Sequence, residues 1–344
     1  MSTLQIGLAI AGGLVLAGVV AHGAWTSRRS QPRQADPQAP RVEPGLGSVE
    51  PSFAPGFDAD DAAMSLPAVE KRPLMDSLID VIAPITLDGP VSGDAVLAAL
   101  PATRRVGSKP FAVEGLNEKN QQWELPQIGQ RYGALQAGIQ LANRAGALNE
   151  IEYSEFVVTA QAFADAVGGT PEFPEMRDEV ARARELDNFA GAHDAQLGVT
   201  LRARNAAWSP GYVHQCAARL GFVPGAIPGR MVLPASMPGQ PPLLGLAFDS
   251  QAALAEDLDQ SALRELSLSL DVAQVDRSER PFARMREAAV ALAQTMDGLL
   301  TDDNGHALST EALDQIGAEL EKLYDTLDAH ELSAGSILAR RLFS

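Results

Sequence analysis

The pattern of apolar and polar positions divides the chain into an apolar N-terminal run, a proline-rich stretch and a long region of alternating strand-like and helix-like segments. From Leu4 to Trp25, only Gln5 and His22 are clearly polar. At about 1.5 Å per residue this run would form a helix of roughly 33 Å, enough to cross a ~30 Å hydrocarbon core. The pattern therefore predicts one transmembrane helix, preceded by a short N-terminus of residues 1–3.

The charges around the apolar run predict its orientation. Residues 1–3 carry no Lys or Arg, whereas the C-terminal flank contains Arg28, Arg29, Arg33 and Arg41. Because cytoplasmic flanks are enriched in basic residues, we expect the N-terminus outside the cytoplasm and a cytoplasmic remainder. The missing N-terminal charge favours an uncleaved anchor, while small residues after the run leave a cleaved signal peptide as the alternative.

Small residues recur at every fourth position of this run, at Ala9, Gly13, Ala17 and Ala21. Such a stripe is typical of closely packed membrane helix pairs, so it predicts weak homodimerisation. The abundance of Ala and Gly in the run leaves a chance pattern as the other interpretation.

Residues 26–72 are rich in proline, with Gln, Asp and Ser between the prolines and no sustained apolar period. This composition predicts a flexible linker. If flexible, its length gives a root-mean-square reach of roughly 35–40 Å.

Residues 73–192 predict a first globular domain. Leu78–Leu87 and Tyr132–Asn143 are interpreted as strands, the second because it alternates strictly. Phe156–Phe163 is predicted as another strand. Gly93–Leu100 and Pro174–Phe189 are predicted helices.

A similar order begins again in residues 193–331. Ser209 as N-cap and Pro210 at the first helical position predict a helix over Ser209–Leu220. The predicted strands of this domain are Leu197–Ala203, Arg230–Leu233, Leu243–Phe248 and Leu266–Val272.

Two amphipathic helices follow. One has an apolar stripe at 3-4-3-4 spacing that is expected to end at Gly298, and the next begins at Ser309. Their stripes are Phe282, Met285, Ala289, Leu292 and Met296, then Leu313, Ile316, Leu320, Leu323 and Leu327. The fold class is therefore α+β, with mostly antiparallel sheets packed on helices.

Composition argues against several functions. The net charge of −17 disfavours a nucleic-acid groove. The five histidines show no metal-ligand spacing, and no phosphate loop or nucleophile elbow occurs, so we expect no catalytic residues, metal or cofactor. Asp302 and Asp303 could suggest a Ca²⁺ loop, but the glutamate such a loop requires is absent, and a turn is the favoured interpretation.

Four features of the chain together carry a family resemblance. They are the anchor exit "HGAWTSRR", the proline-rich linker, the helix Ser209–Leu220 followed by Gly221-Phe222, and the stretch "FARMREAAVALAQTMDGLLTDDNGHALSTEALDQI". In this order and spacing they resemble the ZipA family of membrane anchors for the cell-division protein FtsZ. It covers the anchor and roughly 140 C-terminal residues. It implies a C-terminal FtsZ-binding domain at residues 193–331.

The chain departs from the family plan in two places. Residues 73–192 are interpreted as a degenerate first copy of the ZipA-like unit that lacks the final helix. The tail at residues 332–344 ends in basic and aromatic side chains, and either docks on the sheet or stays free.

The resemblance implies that an exposed sheet face holds the FtsZ C-terminal tail. Gln196, Gly198 and Thr200 are expected to point outward on the first strand of this domain. The outward positions on later strands, and hence the candidate partner-binding residues, are Ile227, Met231, Ala247, Asp249, Ser267 and Ser269. Ser267, Ser269 and Asp249 are polar where an apolar trough is expected, so a solvated or domain-packed face is the alternative.

The resulting hypothesis is a non-enzymatic inner-membrane protein of the division septum, which tethers FtsZ filaments through their tails. An anchored scaffold of the same fold that binds another divisome or envelope protein is the alternative. An anchored enzyme with an unusual site is a further one, which no residue pattern favours.

Overall fold

The computed structural model describes residues 32–34, 75–255, 261–302 and 304–344. The predicted anchor from Leu4 to Trp25, with its stripe of small residues, lies outside them. No helix within the described residues is long and apolar enough to span a bilayer. The described chain forms two compact units, residues 75–192 and residues 193–343, the latter together with residues 32–34.

The N-terminal unit is built on one antiparallel sheet with strand order β2-β3-β5-β1-β8, in which β4 also pairs with β3. A separate hairpin joins β6 to β7. The strands are β1 (Asp80–Ser92), β2 (Arg105–Val106), β3 (Lys109–Asn117), β4 (Trp123–Glu124), β5 (Arg131–Gln140), β6 (Ala142–Asn143), β7 (Gly146–Ala147) and β8 (Gly169–Pro171).

Three helices belong to this unit: α1 (Gly93–Ala99), α2 (Glu150–Val167) and α3 (Met176–His193). The core forms where apolar residues of β5 meet α2, and Leu135, Ile139 and Phe156 are fully buried there. The predicted strands Leu78–Leu87 and Tyr132–Asn143 and the predicted helix Gly93–Leu100 are thereby confirmed within a few residues.

The strand predicted at Phe156–Phe163 is wrong, because these residues lie inside α2. Asn149 caps the helix because its side-chain oxygen accepts from the N–H groups of Ile151 and Glu152. The Glu152 carboxylate in turn accepts from the Asn149 N–H. This reciprocal capping box fixes the helix start. The β-branched residues in the middle of the segment favoured a strand locally, but helical burial decides the outcome.

The C-terminal unit contains a six-stranded antiparallel sheet with order β10-β11-β12-β13-β9-β14. Its strands are β9 (Gln196–Ala203), β10 (Val223–Pro224), β11 (Arg230–Leu233), β12 (Leu244–Ala247), β13 (Glu265–Asp271) and β14 (Gly298–Thr301). Its helices are α4 (Pro210–Ala218), α5 (Ser250–Ala253), α6 (Pro281–Met296), α7 (Thr310–Ala329) and α8 (Ile337–Leu342). These bounds confirm the predicted elements of residues 193–331.

Helix ends in this unit follow ordinary capping chemistry. The Ser209 hydroxyl accepts from the Tyr212 N–H at 3.1 Å and begins α4. Helix α6 ends before the predicted Gly298: Asp297, at φ 56°, is its left-handed cap, and Gly298 already belongs to β14.

The two units share one order of elements. In each, the first strand lies between a short strand that follows a long helix (β8 or β14) and a later strand (β5 or β13), and a final helix follows. Helix α3 is that final helix in the N-terminal unit, so the expectation that this copy lacks it is wrong. The three-residue strand β8 before it is too short to be read from the sequence.

The C-terminal tail is ordered against its own unit. The Gln274 side-chain amide donates to the carbonyls of Phe343 at 2.8 Å and Arg340 at 3.2 Å, and Leu342 is only 1% exposed. Of the two alternatives, the tail therefore docks, at the turn after β13 rather than on the sheet face.

Part of the predicted flexible linker is also ordered. Pro32–Gln34 lies beside the C-terminal unit, where Arg33 forms a parallel bridge with Trp208. A flexible spacer throughout residues 26–72 is therefore the wrong expectation at this point.

Candidate partner-binding site

The sheet of the C-terminal unit has one face on the helices and one facing away. Strand β13 shows this most clearly, since Leu266, Leu268 and Leu270 are at most 2% exposed whereas Ser267 and Ser269 are exposed. Because paired residues of neighbouring strands lie on the same face of a sheet, this alternation also shows which residues of the neighbouring strands face outward.

Small residues form the floor of the outward face. One row pairs Gly245 with Ser269 and Ser269 with Gly198. The next row pairs Ala247 with Ser267 and Ser267 with Thr200. These side chains leave the backbone shallow and approachable, as a floor for an extended peptide requires.

The glycine in this floor is dictated by its neighbour. A Cβ at Gly245 would lie 2.6 Å from the Ser269 Oγ, so a larger residue would displace that hydroxyl. Glycine is therefore the residue that fits beside Ser269 at this position of β12.

Larger apolar side chains stand at the two borders of the floor. On one border, Val223 is 43% exposed and pairs with Val232. On the other, Leu299 is 37% exposed and pairs with Arg202, which also meets Glu265 at 3.6 Å. The face thus has small polar and apolar residues in its middle and larger apolar side chains at its borders, and we call it the trough.

Three of the predicted residues, Ala247, Ser267 and Ser269, point outward on this face. Gln196, Gly198 and Thr200 also do. Whether any of them contacts a partner stays a prediction.

Met231 is misplaced by the sequence interpretation. It is 1% exposed and pairs with Leu246, which faces the helices. Its neighbours Arg230 and Val232 are the outward residues of β11 instead. The prolines and glycines before β11 give no alternating pattern, so the sequence does not show which of its residues face outward. The pairing of β11 with β12 determines this.

Two other predicted residues lie outside the strands. Ile227 is 58% exposed in the bend before β11. Asp249 is the N-cap of α5, where its carboxylate accepts from the Gln251 N–H at 2.8 Å. Asp249 thus already has a structural role at the end of β12. Sequence reasoning also missed Val223, Val232 and Leu299, whose signal would have been the register itself.

Comparison with protein families finds one likeness within this unit. Residues 251–319 match the family model described as ZipA, C-terminal FtsZ-binding domain. This part of the C-terminal unit is therefore similar to the ZipA family. A search of curated proteins found no match for the chain.

The match to ZipA spans β13, α6, β14 and the first half of α7. It therefore includes Ser267, Ser269 and Leu299, whereas Ala247 and Val232 precede it. Both serines thus lie in the matched part of the C-terminal unit and give its trough a more polar floor than the resemblance implied.

The C-terminal unit also has a groove on its helical side. A groove of about 920 Å³ runs between α6 and α7, lined by small residues such as Ala291, Gly317 and Ala318. Arg286 and Asp314 form an ion pair at 2.5 Å across it. This groove provides a built-in comparison for binding experiments on the sheet face.

The acidic turn between β14 and α7 is a structural turn. The Asp302 carboxylate accepts from the His306 N–H at 2.7 Å and the Asn304 N–H at 3.0 Å, and these bonds hold the Asp302 pKa below its ordinary range. Asp303 lies outside the described residues. Within the described parts of the chain, no group of three His, Cys, Asp or Glu residues is placed to hold a metal ion.

Burial accounts for the remaining candidate chemistry. Cys216 is 4% exposed and burial raises its thiol pKa, which makes it a poor nucleophile. Lys109 is fully buried in the N-terminal unit, and its ammonium donates to Asn143 at 2.9 Å and to the Gly146 carbonyl. Both side chains act within the packing of their units.

Proposed function

We propose that the protein is a non-enzymatic cell-division component that tethers FtsZ to the cytoplasmic membrane. In this proposal the trough of the C-terminal unit binds the FtsZ C-terminal tail, and residues 4–25 form a single-pass anchor with the N-terminus in the periplasm. The two units are cytoplasmic and gather at the division septum. The match of residues 251–319 to the FtsZ-binding family carries the proposal.

The trough suits a peptide more than a small molecule. It is open along two rows of small side chains, so an extended backbone can approach the sheet, while Val223, Val232 and Leu299 offer apolar contacts at its borders. Burial of apolar area contributes about 25 cal/mol per Å², and hydroxyls in the floor reduce the area available.

A modest affinity is sufficient for the proposed role. A filament presents many copies of the same tail, and several membrane-bound partners can engage neighbouring copies at once. Each later contact then forms at a high effective concentration, so the tether holds although single contacts are weak.

The direct test is a fluorescence-anisotropy titration of an FtsZ tail peptide with the full chain in lipid nanodiscs. We expect saturable binding that Ala247→Glu reduces at least tenfold, because a carboxylate would enter the trough. Ala318→Glu is the matched control, since it places the same charge in the groove between α6 and α7.

Absence of binding at high micromolar peptide to a folded chain would refute FtsZ capture. Loss of binding in Ala318→Glu but not in Ala247→Glu would move the site to the helical groove.

A second candidate is an anchored scaffold that uses the same fold for another divisome or envelope protein. The exposed hydroxyls of Ser267 and Ser269 favour it, because they suit a more polar ligand than an apolar tail. Binding of the FtsZ tail that Ala247→Glu abolishes would exclude this alternative.

A further inference from the structure

Three residues near the N-terminus, Pro32–Gln34, lie along the C-terminal unit and form one parallel β-bridge with it. The Arg33 N–H donates to the Ala207 carbonyl at 2.6 Å, and the Ser209 N–H donates to the Arg33 carbonyl at 2.9 Å. Both main-chain groups of Arg33 are therefore used in a parallel bridge to Trp208. We call Pro32–Gln34 the strap.

The segment that receives the strap is Ala207–Ser209, which we call the ledge. The rest of the C-terminal unit holds the ledge from the side opposite the strap. Trp208 exchanges two main-chain hydrogen bonds of 2.8 Å with Leu263, and its indole N–H donates to the Met296 carbonyl at 2.8 Å. Trp208 is fully buried. The ledge is thus part of the folded unit.

The ledge also has main-chain groups that need a partner. Ser209 is 0% exposed and Ala207 is 4% exposed. The Arg33 main chain satisfies the N–H of one and the carbonyl of the other, and buried backbone groups left unpaired are costly. The strap therefore completes the hydrogen bonding of this edge.

The side chain of Arg33 adds a second contact. Its guanidinium lies 3.3 Å from the Asp297 carboxylate, which also accepts from the Asn205 amide at 3.1 Å. Both charged side chains are 37% exposed, so the ion pair contributes little to the free energy of docking. Its main effect is to favour arginine over other residues at position 33. The main-chain bonds dominate.

The residue before Arg33 suits an added strand. Proline has its φ fixed near an extended value and has no N–H, so Pro32 favours the extended conformation without leaving a donor unpaired. The same dipeptide recurs as Pro40-Arg41, which supplies an internal comparison.

We propose that the C-terminal unit captures the strap and is thereby held next to the membrane; this rests on the proposed anchor. Eight positions separate Trp25 from Arg33, a span of at most about 29 Å for an extended chain. An undocked linker over residues 26–72 could extend on the order of 150 Å. Capture therefore shortens the greatest distance that the C-terminal unit can reach from the membrane. Residues 35–74 connect the strap to the N-terminal unit in sequence.

Residue-resolved hydrogen exchange on the full chain in nanodiscs tests the capture. Arg33→Pro removes the donated N–H, so we expect the Ser209 amide to exchange at least tenfold faster, while Arg41→Pro leaves it unchanged. In the unmodified chain, trypsin should cut Arg33–Gln34 about tenfold more slowly than Arg41–Val42. Equal cleavage rates together with an unaltered Ser209 amide would overturn the proposal.

The membrane consequence has its own readout. A dye at Gln315→Cys, an exposed position on α7 outside the strap contacts, in a Cys216→Ala background should transfer energy to labelled lipid efficiently, and Arg33→Pro should reduce the transfer. If exchange shows capture but the chain does not associate with lipid vesicles, the proposed anchor fails while the strap stands. If the chain associates but transfer is the same with and without Arg33→Pro, the short-tether proposal is overturned.

Discussion

Tyr324 and Tyr132 are both buried, but they differ in what their hydroxyls meet. The Tyr324 hydroxyl has no hydrogen-bond partner among the described residues, and burial raises the pKa of Tyr324 to about 12. The Tyr132 hydroxyl accepts from the Gln127 N–H at 2.8 Å and donates to Glu124 at 3.1 Å.

We expect Tyr324→Phe to leave stability unchanged or raise it by about 1 kcal/mol, because it removes a buried polar group without a partner. The same change at Tyr132 should cost about 1–2 kcal/mol, since it leaves the Gln127 N–H unsatisfied. Urea unfolding of both variants checks the contrast. A larger loss at Tyr324 than at Tyr132 would contradict it.

Glu152 combines burial with several donors. Burial alone raises its pKa, but the Ser108 N–H and hydroxyl, the Asn149 N–H and the charge of Lys109 together lower it below the usual range. Since the folded-state pKa is the lower one, the stabilisation is fully present above the unfolded-state pKa. It is lost as the pH falls through the folded-state value.

Glu152→Gln should therefore destabilise the protein by about 1–3 kcal/mol near neutral pH, and by less as the pH falls below the ordinary glutamate range. Unfolding titrations between pH 7 and about pH 3 follow the difference. Glu155→Gln, an exposed carboxylate on the same helix, is the control and should show no such trend. A difference for Glu152→Gln that grows in acid would be inconsistent with this assignment.

At the scale of elements, the sequence predicts those whose own residues determine them. The stripes of α6 and α7 and the alternation of β13 are long enough to identify, and the structure confirms them. The strand prediction for Phe156–Phe163 was wrong because its β-branched residues favoured a strand, whereas a capping box seven residues earlier starts a helix. The outward orientation predicted for Met231 was wrong because the face that a residue of a short strand occupies depends on the partner strand, which no local pattern contains.

Helix α8 shows how a tail of ambiguous sequence becomes part of a fold. Leu342 is 1% exposed whereas Ile337, on the same helix, is 49% exposed. We expect Leu342→Ala to cost about 2–4 kcal/mol and Ile337→Ala less than about 0.5 kcal/mol. Chemical denaturation measures both. Equal small effects would mean that the tail is not integral to the unit.

At the scale of the whole molecule, the two units repeat one order of strands and helices but differ on their outward sheet faces. In the N-terminal unit the centre of that face is already covered. The Met75 N–H donates to the Glu114 carboxylate at 2.9 Å, and the Gln136 amide holds the other oxygen at 2.8 Å. A Cβ at Gly138 would lie 2.2 Å from the Met75 sulfur, so the glycine makes room for this side chain.

This difference predicts the stoichiometry of partner binding. Since Met75 occupies the middle of the outward sheet face of the N-terminal unit, we expect one FtsZ tail peptide per chain, bound by the trough of the C-terminal unit. Isothermal titration calorimetry on the full chain in nanodiscs gives the number directly. Ala247→Glu should then abolish the whole signal. Two peptides per chain, or one remaining peptide in Ala247→Glu, would show that the N-terminal face binds as well and that the Met75 segment yields to a ligand.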